Sequence, residues 1–205
     1  MVNPRYLSHT LGTGPIVIDL WLDYICPFSR KQFDAIYKSI FPEVEQKFPN
    51  QFTFVFQHTP QPWHGQGSYL HEAGIAVGLI DPGKFWEFSS KLFEHSGDYY
   101  DVASFDKSRK QIITELADLA ASVGVDKKKY VELTTIDLNG KAKNPGPAVV
   151  NDLKYFIKAG RQNSVHVTPT VFINGLVDPE ISSSWTAEQW IAKLSNVVTS
   201  VNQKL

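Results

Sequence analysis

The 205-residue sequence holds one cysteine, Cys26. A disulfide within the chain is therefore impossible, and a disulfide-stapled scaffold is excluded. There is no excess of either charge. Lys and Arg number 20 against 21 Asp and Glu, with 7 basic and 10 acidic residues up to residue 100 and 13 and 11 beyond it. Neither half has the basic surplus that neutralising phosphates requires, which argues against a nucleic-acid partner. The longest uncharged apolar run, Gly74 to Ile80, is far too short to cross a bilayer, so no membrane partner is expected. Asn-x-Ser/Thr acceptors are missing. Met1 to Pro15 has no apolar segment of its own, and Ile16 to Leu22 is followed by no small-residue cleavage site. No secretory leader is expected, and a reducing compartment, most simply cytoplasmic, is. What is present excludes disorder: 42% hydrophobic and 13% aromatic residues can bury a substantial core in one domain.

Ile16 to Leu22 is β-rich on both parities, as in a strand covered on both faces. A helix is expected from Pro27, with Phe33, Ile36, Tyr37 and Ile40 on one face, stopping near Phe41-Pro42 or Pro49. Gln51 to His58 alternates as a second strand, which makes a βαβ unit with a parallel pair. From Gly67 to Arg161 the pattern is helical, broken at Asp81-Pro82-Gly83 and Asn144 to Pro147. Thr170 to Ile173, Asn174-Gly175 and Leu176-Val177 then read as a hairpin. Thr186 and Gln189 open a last helix with a capping box.

The sharpest local feature is Asp23-Tyr24-Ile25-Cys26-Pro27-Phe28-Ser29, which places Cys26 between a strand and a helix. Helix N–H groups and the dipole favour a thiolate there, and a thiolate is a nucleophile. Burial of Cys26 as a small hydrophobe is the competing reading. The second feature is Val167-Thr168-Pro169-Thr170. A Pro opening a strand is either trans at an edge, which residue statistics favour, or cis.

The order βαβ, helical block, ββα, with Cys26-Pro27-Phe28-Ser29 at the first helix and Val167 to Thr170 before the hairpin, resembles the thioredoxin superfamily. Phe85-Trp86-Glu87-Phe88, the run Pro169 to Gly175 and the long helical block resemble its DsbA-like branch. The resemblance implies an α/β thioredoxin fold with a mixed central sheet. It implies one domain over residues 1–205, with a core of about 14–62 and 162–205 and a helical insertion of about 63–161. It further implies that Pro169 is a cis-proline beside the nucleophilic sulfur, and that Thr168 offers its backbone to an incoming peptide or glutathione.

The departures from that pattern matter equally. The branch's dithiol members carry Cys-x-x-Cys, whereas here the fourth position is Ser29 and no resolving thiol exists. Only monothiol chemistry remains, with Cys26 attacking and an external thiol such as glutathione releasing the product. No tightly bound cofactor is expected. The buried acid of dithiol members falls here on Leu20, with Asp19 one residue out of register on the opposite face.

Ser29 either donates to the thiolate one turn away or is a first-turn helix residue. Phe28 and Tyr24 form an apolar rim or pack in the core. In the loop after the second strand, His64 stabilises a thiolate, protonates a leaving one, or has no role, and Trp63 covers a pocket or plugs the core edge. His58, His64 and His71 match no metal-ligand spacing and have no carboxylate partner in register.

Three functions stand. The first is a monothiol thiol–disulfide oxidoreductase or isomerase acting on a protein or glutathione disulfide. The second is a glutathione transferase or isomerase like the kappa-class relatives, although those use Ser where Cys26 stands. The third is a binding protein that has lost turnover. A homodimer through the Trp- and Phe-rich helical block is a further expectation.

Overall fold

The computed structural model describes residues 3–202, with side chains to residue 200, so Met1, Val2 and 203–205 of the expected domain lie outside the described residues. The described chain runs through a 3-10 turn (Pro4–His9), β1 (Thr10–Gly12), β2 (Ile16–Leu22), α1 (Pro27–Ala35), a π turn (Ile36–Ile40), α2 (Phe41–Lys47) and β3 (Phe52–His58). It continues with α3 (Gly67–Ile80), α4 (Phe85–Glu94), α5 (Asp101–Ser104), α6 (Arg109–Ser122), α7 (Lys127–Thr134) and α8 (Val150–Gln162). It closes with β4 (Thr170–Ile173), β5 (Leu176–Val177) and α9 (Ala187–Asn202).

The sheet is mixed, in the order β1-β3-β2-β4-β5. β2 and β3 are parallel, from Ile16 opposite Phe52 to Leu22 opposite His58, so the loops after both strands leave from one rim. β4 returns antiparallel to β2, with Trp21 opposite Thr170. Asn174 and Gly175 both take positive φ, 49° and 81°, as a two-residue type I′ hairpin turn requires. The capping box on α9 forms, since Thr186 N–H donates to Gln189 Oε1 at 2.9 Å.

Two details go beyond the sequence reading. Of the two expected stops for the helix after Cys26, the structure takes the one near Pro49 and passes Phe41-Pro42 through a widened turn. Pro42 lacks an N–H and its ring crowds the preceding turn. The Ile36–Ile40 segment widens to π geometry, with Phe41 N–H donating to Ile36 O, and the helix runs on to Lys47. The opening residues, to which the sequence reading assigns no element, contribute β1, which pairs antiparallel with β3. Three residues are too few for a hydrophobic period and take their order from the β3 edge. Gly12 is required there, because it sits at φ 88° and a Cβ would lie 2.4 Å from Phe52 O.

Strand alternation gives the sheet two unlike faces. Ile18, Leu20, Leu22, Phe54 and Phe56 are fully buried under α1 and α9, with Phe33 against Phe56 and Trp190 against Phe54. Phe33 also packs on Trp86 and Phe93 of α4, so helical block and sheet share one core. The opposite face carries Val17, Asp19, Trp21, Val55 and Gln57, and α8 covers it less tightly, leaving a cavity of about 430 Å³.

Candidate functional site

β2 ends at Leu22, and four residues later Cys26 caps α1, with Pro27 at its first position. A proline fits there because the N–H it lacks would have no helical partner. The turn between them is fixed by Asp23. Its backbone O accepts Cys26 N–H at 3.0 Å, and its side chain accepts Ile25 N–H at 3.1 Å. The Cys26 side chain is 6% exposed and its thiol donates to Thr168 O at 3.4 Å. The Thr168–Pro169 peptide is cis, and both residues are half-buried. Sulfur, first helical turn and the segment entering β4 thus meet at one point, although 142 residues separate Cys26 from Thr168.

Ser29 is buried and its Oγ accepts Asp23 N–H at 3.2 Å; among the described residues it makes no hydrogen bond to the sulfur. Its contact supports the turn that holds Cys26. Tyr24 is fully buried with its hydroxyl on Ser89 Oγ, whereas Phe28 is 62% exposed on the outer face of α1. Of the two suggested rim residues, only Phe28 is at the surface.

His64 comes to the same end of the molecule. Together with Ile25 and Pro27, the neighbours of Cys26, it lines an apolar groove of about 570 Å³ closed by Tyr100, Val102 and Ala103. Besides His64, Asp101 is the one titratable side chain among its described lining residues that is not a tyrosine. Trp63 is 62% exposed and lies on the other side of His64, over a separate cavity of about 380 Å³ against Gly160 and Arg161 of α8.

Asp23 is the residue whose importance the sequence reading missed. Its fully buried carboxylate accepts Gln61 N–H at 3.1 Å, His64 Nδ1–H at 2.5 Å and His71 Nε2–H at 3.2 Å. Burial alone would push this carboxyl up. The hydrogen bond from His71, followed by those from His64 and the Ile25 N–H, outweighs burial and holds it below its ordinary range. The expectation that these histidines have no carboxylate partner is therefore corrected, because the partner lies on the strand-to-helix turn, outside the window that sequence spacing surveys.

Behind Asp23 the histidines continue inward. His71 Nδ1 meets His58 Nδ1 at 2.8 Å, His58 Nε2 meets His9 Nε2 at 2.9 Å, and His9 Nδ1 meets Ser8 Oγ at 3.0 Å. All three imidazoles are buried. Burial lowers His9 to about 3 and, together with the neighbouring imidazoles, lowers His58 well below the usual histidine range. Two glycines one turn apart on α3 make the room. A Cβ on Gly74 would meet Tyr24 Oη at 2.6 Å and the His58 ring at 3.1 Å; one on Gly78 would meet Ser8 Oγ at 2.7 Å and the His9 ring at 3.2 Å. His71, Gly74 and Gly78 share one helical face, a signal available in the sequence. Among the described residues, no three His, Cys, Asp or Glu side chains gather as a metal site. No helix among them is long and apolar enough to cross a membrane.

No protein-family model matches the chain. Over 167 residues, 80% of the chain, it is 28% identical to disulfide bond formation protein D of Bacillus subtilis, of which it spans 65%. It is 25% identical over 167 residues to Na(+)/H(+) antiporter NhaA 1 of Mycolicibacterium vanbaalenii, of which it spans 22%. Among solved structures, a candidate protein-disulfide isomerase from Pseudomonas syringae superposes with a TM-score of 0.74 at 22% identity, covering 92% of this chain and 98% of that one.

Proposed function

Starting from the DsbA-like thioredoxin fold that the chain has, we propose that it is a monothiol thiol–disulfide oxidoreductase or isomerase. Cys26 is its nucleophile and an external thiol such as glutathione its second substrate. One observation carries the reading: the chain's single thiol lies at the start of α1, hydrogen-bonded to the Thr168 carbonyl beside Pro169. The helix terminus favours negative charge on sulfur. The name of the Bacillus subtilis relative, a disulfide bond formation protein, points to the same chemistry.

The proposed reaction has two exchanges. The Cys26 thiolate attacks one sulfur of a disulfide R–S–S–R′; the Cys26–S–S–R bond forms as R–S–S–R′ breaks, and R′S⁻ leaves with the bonding electron pair and takes a proton. A second thiolate, R″S⁻, then attacks the R sulfur, forming R–S–S–R″ and returning Cys26 as a thiolate. No second cysteine is needed, in keeping with Ser29. Thr168 and Pro169 flank the incoming disulfide, Phe28 and Trp63 supply exposed apolar contacts, and Ser29 and Pro27 hold the turn. His64, its Nδ1 engaged by Asp23, keeps Nε2 for the proton that R′S⁻ takes. A reducing compartment such as the cytosol suits a protein with one thiol and an external thiol as co-substrate.

The groove beside Cys26 lacks a Lys or Arg to hold a glutathione carboxylate, which weighs against the kappa-class reading. A binding scaffold is favoured by one observation, the near-complete burial of Cys26. Iodoacetamide alkylation at pH 7, followed by mass spectrometry after oxidised glutathione, separates the two. The oxidoreductase reading expects rapid alkylation of the folded protein and one glutathione adduct that added thiol removes. Alkylation only on unfolding would overturn it in favour of the scaffold.

A further inference from the structure

With His71 neutral, the chain Ser8–His9–His58–His71–Asp23 has one hydrogen-bonding pattern. Asp23, held ionised by its partners, can only accept, so His71 donates from Nε2 and must accept at Nδ1. His58 then donates from Nδ1 and accepts at Nε2, His9 donates from Nε2 and accepts at Nδ1, and Ser8 donates its hydroxyl hydrogen. In this pattern the imidazoles carry no charge, in keeping with the depressed His9 and His58. Every donor points toward Asp23. Such an array can shift one proton onto the carboxylate by short hops, each imidazole gaining a hydrogen on one nitrogen and losing one from the other.

We propose that Ser8, His9, His58 and His71 form a proton relay that protonates and deprotonates Asp23 during the reaction at Cys26. The inference rests on the function proposed above. When His64 gives its proton to the leaving thiolate, Asp23 loses the cation that compensates its buried charge. A buried carboxylate with no compensating cation is costly even while its hydrogen bonds stay in place. The relay supplies the compensation: His71 Nε2–H passes to Asp23, His58 and His9 each hand on one hydrogen, Ser8 gives its own, and a solvent proton replaces it. When the second thiol re-protonates His64, the four hydrogens move back, so the tautomers are reset without ring flips.

The outer end lies near open space: His9, bonded to Ser8, lines the 430 Å³ cavity under α8, and Ser8 itself keeps a small exposed fraction (8%). Groups facing the array are Tyr6 and the Arg5–Asp152 pair beside His9, and Tyr24 beside His58 and His71. The Asp152 charge favours a proton on His9, the direction a relay entrance needs. The relay residues act through Asp23 and touch no substrate.

The test combines kinetics with nitrogen NMR on the full chain. His58→Gln keeps a donor and an acceptor but cannot take a proton at one atom and release it from another. Exchange of a glutathione mixed disulfide is expected to slow roughly tenfold, short of the hundredfold or more of direct acid–base catalysis. The alkylation rate of Cys26 should stay unchanged. A proton inventory in mixed light and heavy water should curve in the unsubstituted protein, where several hydrogens move, and straighten in the variant. Nitrogen-15 correlation spectra of the unsubstituted protein, which depend on no variant folding, should place the hydrogens on His9 Nε2, His58 Nδ1 and His71 Nε2. An unchanged rate with a curved inventory in His58→Gln, or a hydrogen on the opposite nitrogen of any of the three, overturns the relay while leaving the oxidoreductase reading intact. An unsubstituted protein whose Cys26 exchanges no disulfide overturns that reading, and the relay with it.

Discussion

Two polar assemblies meet at Asp23 and are built on opposite plans. The thiol site is sparse and local: one sulfur, one hydrogen bond of 3.4 Å, and a four-residue motif at a helix start. The imidazole array is dense and dispersed. Its members come from the N-terminal turn, β3, α3 and two loops, and its contacts run from 2.5 to 3.2 Å. A single thiol at a strand-to-helix turn can be held by a short motif, here with 6% of Cys26 exposed. A chain of proton carriers needs exclusion of water and contiguity, which only tertiary packing supplies.

The largest expected effect separates the two assemblies. Cys26→Ser should lower disulfide exchange by at least about a thousandfold, because no other thiol exists to form the mixed disulfide. The melting temperature should stay within a few degrees, since the oxygen can keep the contact to Thr168 O. A collapse of stability together with activity would mean that the sulfur is chiefly a packing group.

Asp23→Asn strikes both assemblies. The amide accepts from some of the present donors but sets its own N–H₂ against others, leaving His64 or His71 without an acceptor. The expected loss is about 3–5 kcal/mol, the range for breaking a buried charged pair, read from urea unfolding. A loss below about 1 kcal/mol would mean that the array does little to hold the fold.

Acid sensitivity belongs to the interior. The folded pKa of His9 is about 3 against 6.5 in the unfolded chain, and that of His58 is also depressed. The unfolded state therefore binds more protons below pH 6.5, so the stability from these neutral imidazoles is present above pH 6.5 and is lost as pH falls toward 3. Each contributes a slope of about 1.4 kcal/mol per pH unit. Glu72, raised to about 7 by burial despite the Arg109 charge, works in the other direction. It holds a proton in the folded state that the unfolded chain releases above 4.5, so it adds stability as pH falls from 7 to 4.5. With one proton offset, the net loss should be about 1.4 kcal/mol per unit between pH 6.5 and 4.5 and roughly twice that below 4.5. Denaturant midpoints across this range check the break in slope, and Glu72→Gln should remove it.

Gly74 tests how closely α3 meets the array. In an open helix, Gly→Ala stabilises by up to about 1 kcal/mol. Here the added Cβ would meet the buried Tyr24 hydroxyl and the His58 ring, so Gly74→Ala should instead cost about 1–3 kcal/mol. A stabilised variant would show that Tyr24 and His58 move aside cheaply.

The contrast also explains what could be read in the sequence. The β2 run, the β3 alternation, Asn174-Gly175 and the Thr186–Gln189 box are local signals, and each element formed where its pattern placed it. The place of Cys26, Pro27 and Ser29 at a helix start was legible by the same route, because a helix start is written in adjacent residues. β1 escaped because its order is borrowed from a neighbouring strand, and the π turn because it answers a clash within the helix. The array was hidden for a third reason. His9, His58 and His71 lie 49 and 13 residues apart, and the carboxylate that ends their chain sits inside the cysteine motif, where spacing points to no histidine. The trace left on the surface of the sequence was negative: His71, Gly74 and Gly78 on one face of an otherwise buried helix, where missing side chains mark where rings must fit.

The smallest effect sharpens the rim side of the comparison. Phe28 stands one position beyond Pro27 on α1, 62% exposed, with no aromatic partner among the described residues. Removing an exposed ring costs little, so Phe28→Ala should change stability by less than about 0.5 kcal/mol. If the ring receives a protein substrate, the cost appears only with a ligand large enough to reach it. KM for a peptide mixed disulfide should then rise severalfold, while KM for oxidised glutathione, kcat for both substrates and the Cys26 alkylation rate stay fixed. An equal rise with both substrates would place the ring against the reacting disulfide itself. No rise with either would remove Phe28 from the site and leave the apolar groove of Ile25, Pro27 and Tyr100 as the surface on which a substrate rests.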